Sequence, residues 1–293
     1  MTGTAALNTG MIEVVDPGAL CTVQDRGRPG WAHLGVGHSG ALDRAAAALA
    51  NRLVGNHDDA AVLESTFGGT RLRFRSAVFI AVTGAECAIT VDGASGMGMR
   101  QPVALPPDSE IALGPPMAGV RTYIAVRGGI AVEPVMGSRS TDLLSHVGPE
   151  PLVSGSTLSI GADPGTPVPT AFAPPSAVTN WPLTIWPGPR TDWFSDNAQR
   201  TLVQSPYVVL PSSNRIGVRL SGVALERLDD RELPSEGIVD GAIQVPNDGQ
   251  PLVFLADHPT TGGYPVIAVV DPGDLDRLAQ VRPGDTVRFR WRR

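Results

Sequence analysis

The 293-residue chain contains no lysine, and all 23 of its basic residues are arginine. That absence removes several chemistries at once. A lysine-bearing phosphate loop, a Schiff-base amine and a biotinylated lysine are all excluded. The chain therefore carries no covalently attached biotin, and nucleotide phosphates would have to meet arginine, backbone N–H groups or a metal ion. A GC-rich genome, which favours arginine codons, accounts for the bias itself. Aromatic residues make up only 5% of the chain, no basic run occurs and the net charge is −6. Nucleic acid is not expected as a partner. No apolar run approaches the roughly 18–20 residues that a membrane-spanning helix needs. The opening, MTGTAALNTGMIE, lacks both a basic segment and a signal-type apolar segment. A cytoplasmic location is expected, with residues 1–11 a disordered lead.

Cysteine is scarce too. With no secretory signal, Cys21 and Cys87 read as buried free thiols rather than a disulfide. The five histidines show no HxH or HExxH spacing and the cysteines no CxxC, so no metal site is expected. The GxSxG elbow is also missing, and no covalent nucleophile stands out.

What the chain has in quantity is turn formers, 34 glycines and 27 prolines. Between them lie short alternating apolar stretches at 71–75, 78–82, 88–91, 121–126, 157–160, 183–186, 216–220, 252–255, 266–270 and 286–290. Each has the length of a strand. Many strands with few helices predict a mainly β protein of the sandwich or barrel type. Helical spacing predicts helices over Ala41–Val54, with Ser39 as N-cap and Gly55 as stop, over Trp193–Val203, capped by Thr191 or Asp192, and over Asp274–Gln280. The Pro- and Ala-rich stretch 161–180 has no strand-length apolar run and reads as a linker region. It divides the chain into a first domain over 12–165, a linker over 166–180 and a second domain over 181–293, with the first strand free to join either half.

Four segments are too specialised to be turns alone. In VQDRGRPGWAHLGVGHSGALD, residues 23–43, the residues His38, Ser39 and Asp43 lie on a glycine-rich loop that opens the first helix. That pattern fits an anion-binding loop and a capped lead-in equally well. IAVTGAE (80–86) and IAVRGGI (124–130) end strands on Thr83 and Arg127. GSRSTDLL (137–144) sets Arg139 among hydroxyl residues, as a loop network or an anion site would. The fourth, GAIQVPNDGQPLVFLADHPTTGGYPVIAVV (241–270), is the richest. A strand runs into Asp257, followed by Thr260, Thr261, Gly262, Gly263 and Tyr264. Two hydroxyls and two glycines can present several donors to one polar ligand, while a strand-end carboxylate can accept an N–H.

These segments, with LESTFGG, SNRIGVRLSG, SEGIVDGAIQVP and LAQVRPGDTVRF, resemble in order the biotin-dependent carboxyltransferase-like family. Its members include allophanate hydrolase subunit 2, the C subunit of 5-oxoprolinase and KipA, and the carboxyltransferase part of urea amidolyase is a relative. The resemblance implies two cyclophilin-like β-barrel domains. It also implies work within a complex, beside a KipI-like B component and an A component, that opens 5-oxoproline to glutamate. That reaction uses ATP and its Mg2+, the ATP held by this chain or by a partner.

Two other roles come with the resemblance: amide or urea processing of the allophanate hydrolase and urea amidolyase type, and KipA-like binding of a KipI-like kinase inhibitor. The substrates share a planar N–C=O unit. Asp257 would accept its N–H, with Thr260, Thr261, Gly262, Gly263 and Tyr264 around its oxygen. His38, Ser39, Asp43, Thr83 and Gln244 would line the small-molecule site, and Arg127, Arg139 and Arg215 would meet phosphate or carboxylate. The SGxxD motif here follows His38, where relatives often have proline, and lacks their methionine. Urea-carboxylating relatives use a site lysine that this chain does not have, which favours the 5-oxoprolinase role.

Overall fold

A computed structural model describes residues 10–168, 173–174, 182–229, 231 and 233–292. The chain forms two compact units. Unit 1 comprises residues 1–27, 44–141 and 147–176, and unit 2 comprises 28–43, 142–146 and 177–293. The expected division near the linker is thus corrected by two excursions. Residues 28–43 join unit 2 through bonds such as Ser39 N–H to the Ala256 carbonyl (2.9 Å), and residues 142–146 through Leu143 N–H to Asp257 (3.2 Å). Most of the expected linker, and residues 1–9, lie outside the described residues. The expected lead ends sooner than residue 11, because a strand already begins at Met11.

Unit 1 is built from two antiparallel sheets. One runs Thr157–Ser159, Met11–Pro17, Thr70–Phe74, Ser109–Leu113, Ile89–Val91, Ala94–Ser95, and the other Leu20–Gln24, Val62–Thr66, Arg121–Val126, Val78–Gly84, Val103–Leu105. The strand at Met11–Pro17 pairs within unit 1 on both sides. Alternate residues of the two sheets share one core, among them Ile12, Val14, Leu72 and Phe74 from the first and Val23, Leu63, Val82 and Ile124 from the second. Helix α1, Arg44–Leu53, packs on strands Val78–Gly84 and Arg121–Val126 of the second sheet. Its alanines allow a close approach. Arg121–Val126 is consequently buried along its whole length, as expected of a strand covered on both faces. Cys21 and Cys87 are both free and buried.

Unit 2 holds an eight-segment sheet in the order Thr286–Val287, Tyr207–Val209, Gly217–Ser221, Leu252–Phe254, Ala242–Gln244, Val266–Val270, Leu183–Pro187, Phe289–Trp291. Its first and last segments are separated by Arg288 alone, whose carbonyl accepts the Leu183 N–H at 2.8 Å. The two ends of the sheet therefore meet and the barrel closes, which removes its free edges. The interior is filled by residues such as Ile185, Val218, Ile243, Val253, Ile267 and Phe289. Helices α2, Asp196–Gln204, and α3, Leu275–Leu278, add Leu202 and Leu278 to that core.

The helices depart from expectation at their starts. Helix α1 begins at Arg44 rather than Ala41, because Ser39 has φ +54° and is fully buried, a conformation that does not lead directly into a helix. Helix α2 is capped by Ser195, whose side chain accepts the Ala198 N–H. Residues Thr191–Trp193 instead form a separate 3-10 turn. A further two-stranded ribbon, Glu236–Gly237 with Thr261–Gly262, stands beside the barrel strands in sequence and carries the richest of the four segments.

Candidate functional site

In unit 2 the strand Leu252–Phe254 continues into Asp257, whose side chain is fully buried and held by a buried fork. Arg215 Nε lies 2.9 Å from Asp257 Oδ2 and Arg215 Nη2 lies 3.0 Å from Oδ1. Oδ2 also accepts the Leu143 N–H at 3.2 Å, and Arg215 Nη2 donates to the Gly40 carbonyl at 2.7 Å. Burial pushes the Asp257 carboxyl up, and the Arg215 guanidinium and Leu143 N–H pull it back. Each of these neighbours is a donor, so the ionised carboxylate is the form this geometry accommodates. The pair ties the loop 37–43 and the segment 142–146 to the barrel rim. The expectation that Asp257 accepts a substrate N–H is corrected here. Both oxygens are engaged and none of its surface is exposed, so it organises the site from beneath.

Around this pair, Asp142 accepts the N–H groups of Leu144 and Ser145 at 2.8 and 2.9 Å. Burial alone would raise its carboxyl, but the bonds from Ser145 and Leu144 hold it below the usual range. Ser39 is fully buried, and His38 Nδ1 is 3.2 Å from the Ser39 carbonyl. Asp43 accepts from Gln280 Nε2 at 2.7 Å. Gly37 lies so close that an added Cβ would sit 3.2 Å from the His258 carbonyl.

Beyond Asp257 the chain forms the donor loop. Thr260 accepts the Ile238 N–H at 3.0 Å through its carbonyl, and Thr261–Gly262 pairs with the ribbon. Gln244 is nearly buried and its Nε2 donates to the Tyr264 carbonyl at 2.9 Å. It is therefore a support for the loop rather than an exposed contact. Gly262 packs against that amide: an added Cβ would come within 2.8 Å of Gln244 Nε2, and the side chain would have to shift. Thr261, Gly263 and Tyr264 are exposed and Thr260 is half-buried. Among the described residues nothing accepts from the backbone N–H groups of Thr260, Gly263 or Tyr264. These N–H groups and the Thr260 and Thr261 hydroxyls are a set of donors within five residues, suited chemically to a carbonyl or carboxylate oxygen.

Three expected site residues belong to unit 1 instead. Thr83 Oγ1 donates to the Ala46 carbonyl of helix α1 at 2.7 Å, so it anchors the helix. Arg127 is committed to Asp163 (3.0 and 2.6 Å), the Val54 carbonyl (3.0 Å) and the Thr166 carbonyl (2.6 Å). Arg139 donates through Nε to the Val132 carbonyl at 2.8 Å, and its N–H meets Asp25 Oδ2 at 2.6 Å. Asp25 also accepts from the hydroxyls of Ser138 and Ser140, both at 2.6 Å. This is the loop network that the GSRST pattern allowed. Thr83 and Arg127 are thus committed within the unit, and Arg139 is held there through its Nε and backbone N–H. Sequence reasoning passed over Asp142, Asp240 and His258 as site residues; the first two lie inside GSRSTDLL and SEGIVDGAIQVP and carry no spacing that singles them out.

A closed β-barrel unit with a buried ion pair beneath a Thr-Thr-Gly-Gly donor loop makes a candidate site for a small polar ligand. The chain belongs to the family of the carboxyltransferase domain, subdomains A and B, whose model matches residues 34–291. It is 39% identical to the C subunit of the 5-oxoprolinase of Escherichia coli (strain K12), over 95% of this chain and 90% of that protein. It is 32% identical to urea amidolyase of Lachancea kluyveri, covering 94% of this chain but 17% of that one. Among solved structures, TTHA0988 superposes with a TM-score of 0.88 at 36% identity, over 97% of this chain. The chain spans about half, 56%, of the TTHA0988 chain. The K. lactis urea amidolyase gives a TM-score of 0.86 at 30% identity, over 95% of this chain and 18% of the other.

Proposed function

We propose that this chain is the C subunit of an ATP-dependent 5-oxoprolinase, opening the lactam of 5-oxoproline to glutamate together with the A and B components of that complex. The observation that carries the reading is the 39% identity to the C subunit of the E. coli 5-oxoprolinase across 90% of that protein's length. The site chemistry supports it. A lactam carbonyl gains negative charge when its carbon is attacked, and a set of N–H and hydroxyl donors from Thr260 to Tyr264 stabilises that charge. The side chains of Arg127, Arg139 and Arg215 are engaged by internal acceptors, and the chain has no lysine. Arg127 and Arg215 are turned to internal carboxylates and Arg139 lies in a separate loop network, so ATP and its Mg2+ are assigned to a partner in the complex, and no step here is routed through them.

A second reading, urea or allophanate processing, is favoured by the 32% identity to urea amidolyase. The two separate in one experiment. The chain is assembled with its partners and offered 5-oxoproline, urea and allophanate in turn, each with ATP. Glutamate release from 5-oxoproline alone supports the first reading; turnover of urea or allophanate without it replaces that reading with the second.

A further inference from the structure

His258 follows Asp257 and is almost buried, yet neither the ion pair nor the donor set uses it. Its ring meets an acceptor on each side. Nδ1 is 2.7 Å from the Pro259 carbonyl oxygen, and Nε2 is 3.2 Å from Asp240 Oδ1. A carbonyl only accepts, and so does an ionised carboxylate. The Asp240 side chain keeps 22% of its surface exposed, while its Oδ1 is turned inward to the ring as an ion-pair contact. A neutral imidazole could serve only one of the two acceptors. The Asp240 carboxyl beside Nε2 favours the imidazolium, in which Nδ1–H donates to the Pro259 carbonyl.

The charged groups around the ring come from three further places. Asp240 lies in the turn before the strand Ala242–Gln244. Asp257 is the preceding residue and is itself held by Arg215, and Asp142 of the segment 142–146 acts on Asp257. Phe254 packs against the ring at 6.0 Å between centroids. Burial alone would lower the His258 pKa, but the Asp240 contact, the Pro259 carbonyl and the charges of Asp240 and Asp257 outweigh it and hold it above the ordinary histidine value.

The Pro259 carbonyl belongs to the same peptide unit as the Thr260 N–H. A cation donating into a carbonyl draws density from its amide and strengthens the N–H on the other side. That N–H has no acceptor among the described residues. The following peptide unit is held as well, since the Ile238 N–H donates to the Thr260 carbonyl at 3.0 Å. We propose that His258 is a positioning residue: clamped by Asp240, it fixes and polarises the Pro259–Thr260 peptide so that the Thr260 N–H meets the carbonyl oxygen of an amide substrate as charge grows on it. This rests on the reading of the donor loop as a carbonyl site.

The test has two arms. In the isolated protein, nitrogen-15 NMR of the histidine rings is followed against pH for the wild type and Asp240→Asn. The expected result is a doubly protonated His258 at pH 7, with its titration moved to lower pH in the variant. A neutral wild-type ring at pH 7 overturns the proposal whatever the substrate is. In the assembled complex, activity should fall as pH rises through the His258 titration, because the protonated ring is the working form. Asp240→Asn should move that alkaline limb to lower pH. His258→Gln should abolish the limb and lower kcat about 10- to 100-fold with little change in KM. An alkaline limb that stays in place in Asp240→Asn, in a complex that turns over normally as wild type, overturns the proposal. If His258→Gln fails to fold, Asp240→Asn carries the test. A wild-type complex that is inert toward 5-oxoproline refutes the functional reading, while the NMR arm, which needs no substrate, still decides the clamp.

Discussion

Replacing Arg215 by methionine (Arg215→Met) strips the guanidinium from both oxygens of a carboxylate that has no exposed surface. Methionine fills much of the volume, so the loss is mainly electrostatic. Breaking one partner of a buried pair costs about 3–5 kcal/mol, and the donor lost from the Gly40 carbonyl adds about 1 kcal/mol. The sign with pH follows from the orphaned acid. Burial already pushes the Asp257 carboxyl up, and without Arg215 it rises further. The folded variant then binds a proton that the unfolded chain does not, so its stability grows as pH falls through the folded-state pKa. The gap from wild type should be widest near pH 8 and narrower near pH 5. Urea unfolding followed by tryptophan fluorescence reads it, because Trp31, Trp186, Trp193 and Trp291 fall in the segments of unit 2. The double variant Arg215→Met, Asp257→Met should recover much of the loss. A single-variant loss under about 1 kcal/mol, or an equal gap at both pH values, would refute the reasoning.

In unit 1, Asp25→Ala removes acceptors for the Ser138 and Ser140 hydroxyls and for the Gly27 and Arg139 N–H groups. We expect a loss of about 2–4 kcal/mol and faster amide exchange at Arg139; exchange at the wild-type rate would count against the network. The two thiols should be inert to a disulfide reagent in the native protein and react with two equivalents once unfolded. Burial, reinforced by Glu64, pushes the Cys21 thiol to about 12, and burial also raises Cys87, whereas the reactive species is the thiolate. Rapid native labelling would contradict that burial.

Much of the β framework was legible in the sequence because strand-length apolar runs alternate between turn residues. The stretches at 121–126 and 266–270 coincide with strands Arg121–Val126 and Val266–Val270. Strands such as Val62–Thr66 and Leu20–Gln24 were not anticipated. Their facing-out residues, Glu64, Thr22 and Gln24, are polar yet buried, held by bonds such as Tyr123 Oη to Glu64 at 2.8 Å, so hydropathy does not mark them. The passage of residues 28–43 into unit 2 was equally hidden, since it depends on Arg215, 175 residues from the Gly40 carbonyl it meets.

The donor loop was visible because Thr-Thr-Gly-Gly is chemically dense over a few positions. What the motif could not show is which of its polar groups face outward. Asp257 looked like the reacting acceptor and is instead spent on Arg215, while Gln244 supports the loop from behind. Arg127 met a chain carboxylate, Asp163, where an external anion was expected. Partner choice of this kind is set by long-range packing and leaves no trace in local spacing.

The most direct test of the account is an omission series in the assembled complex, with glutamate release from 5-oxoproline as the readout. The account predicts ATP-dependent glutamate when this chain and both partners are present, and none when this chain or either partner is left out. Glutamate formed at the full rate without this chain, or none from a verified complete complex, would contradict it.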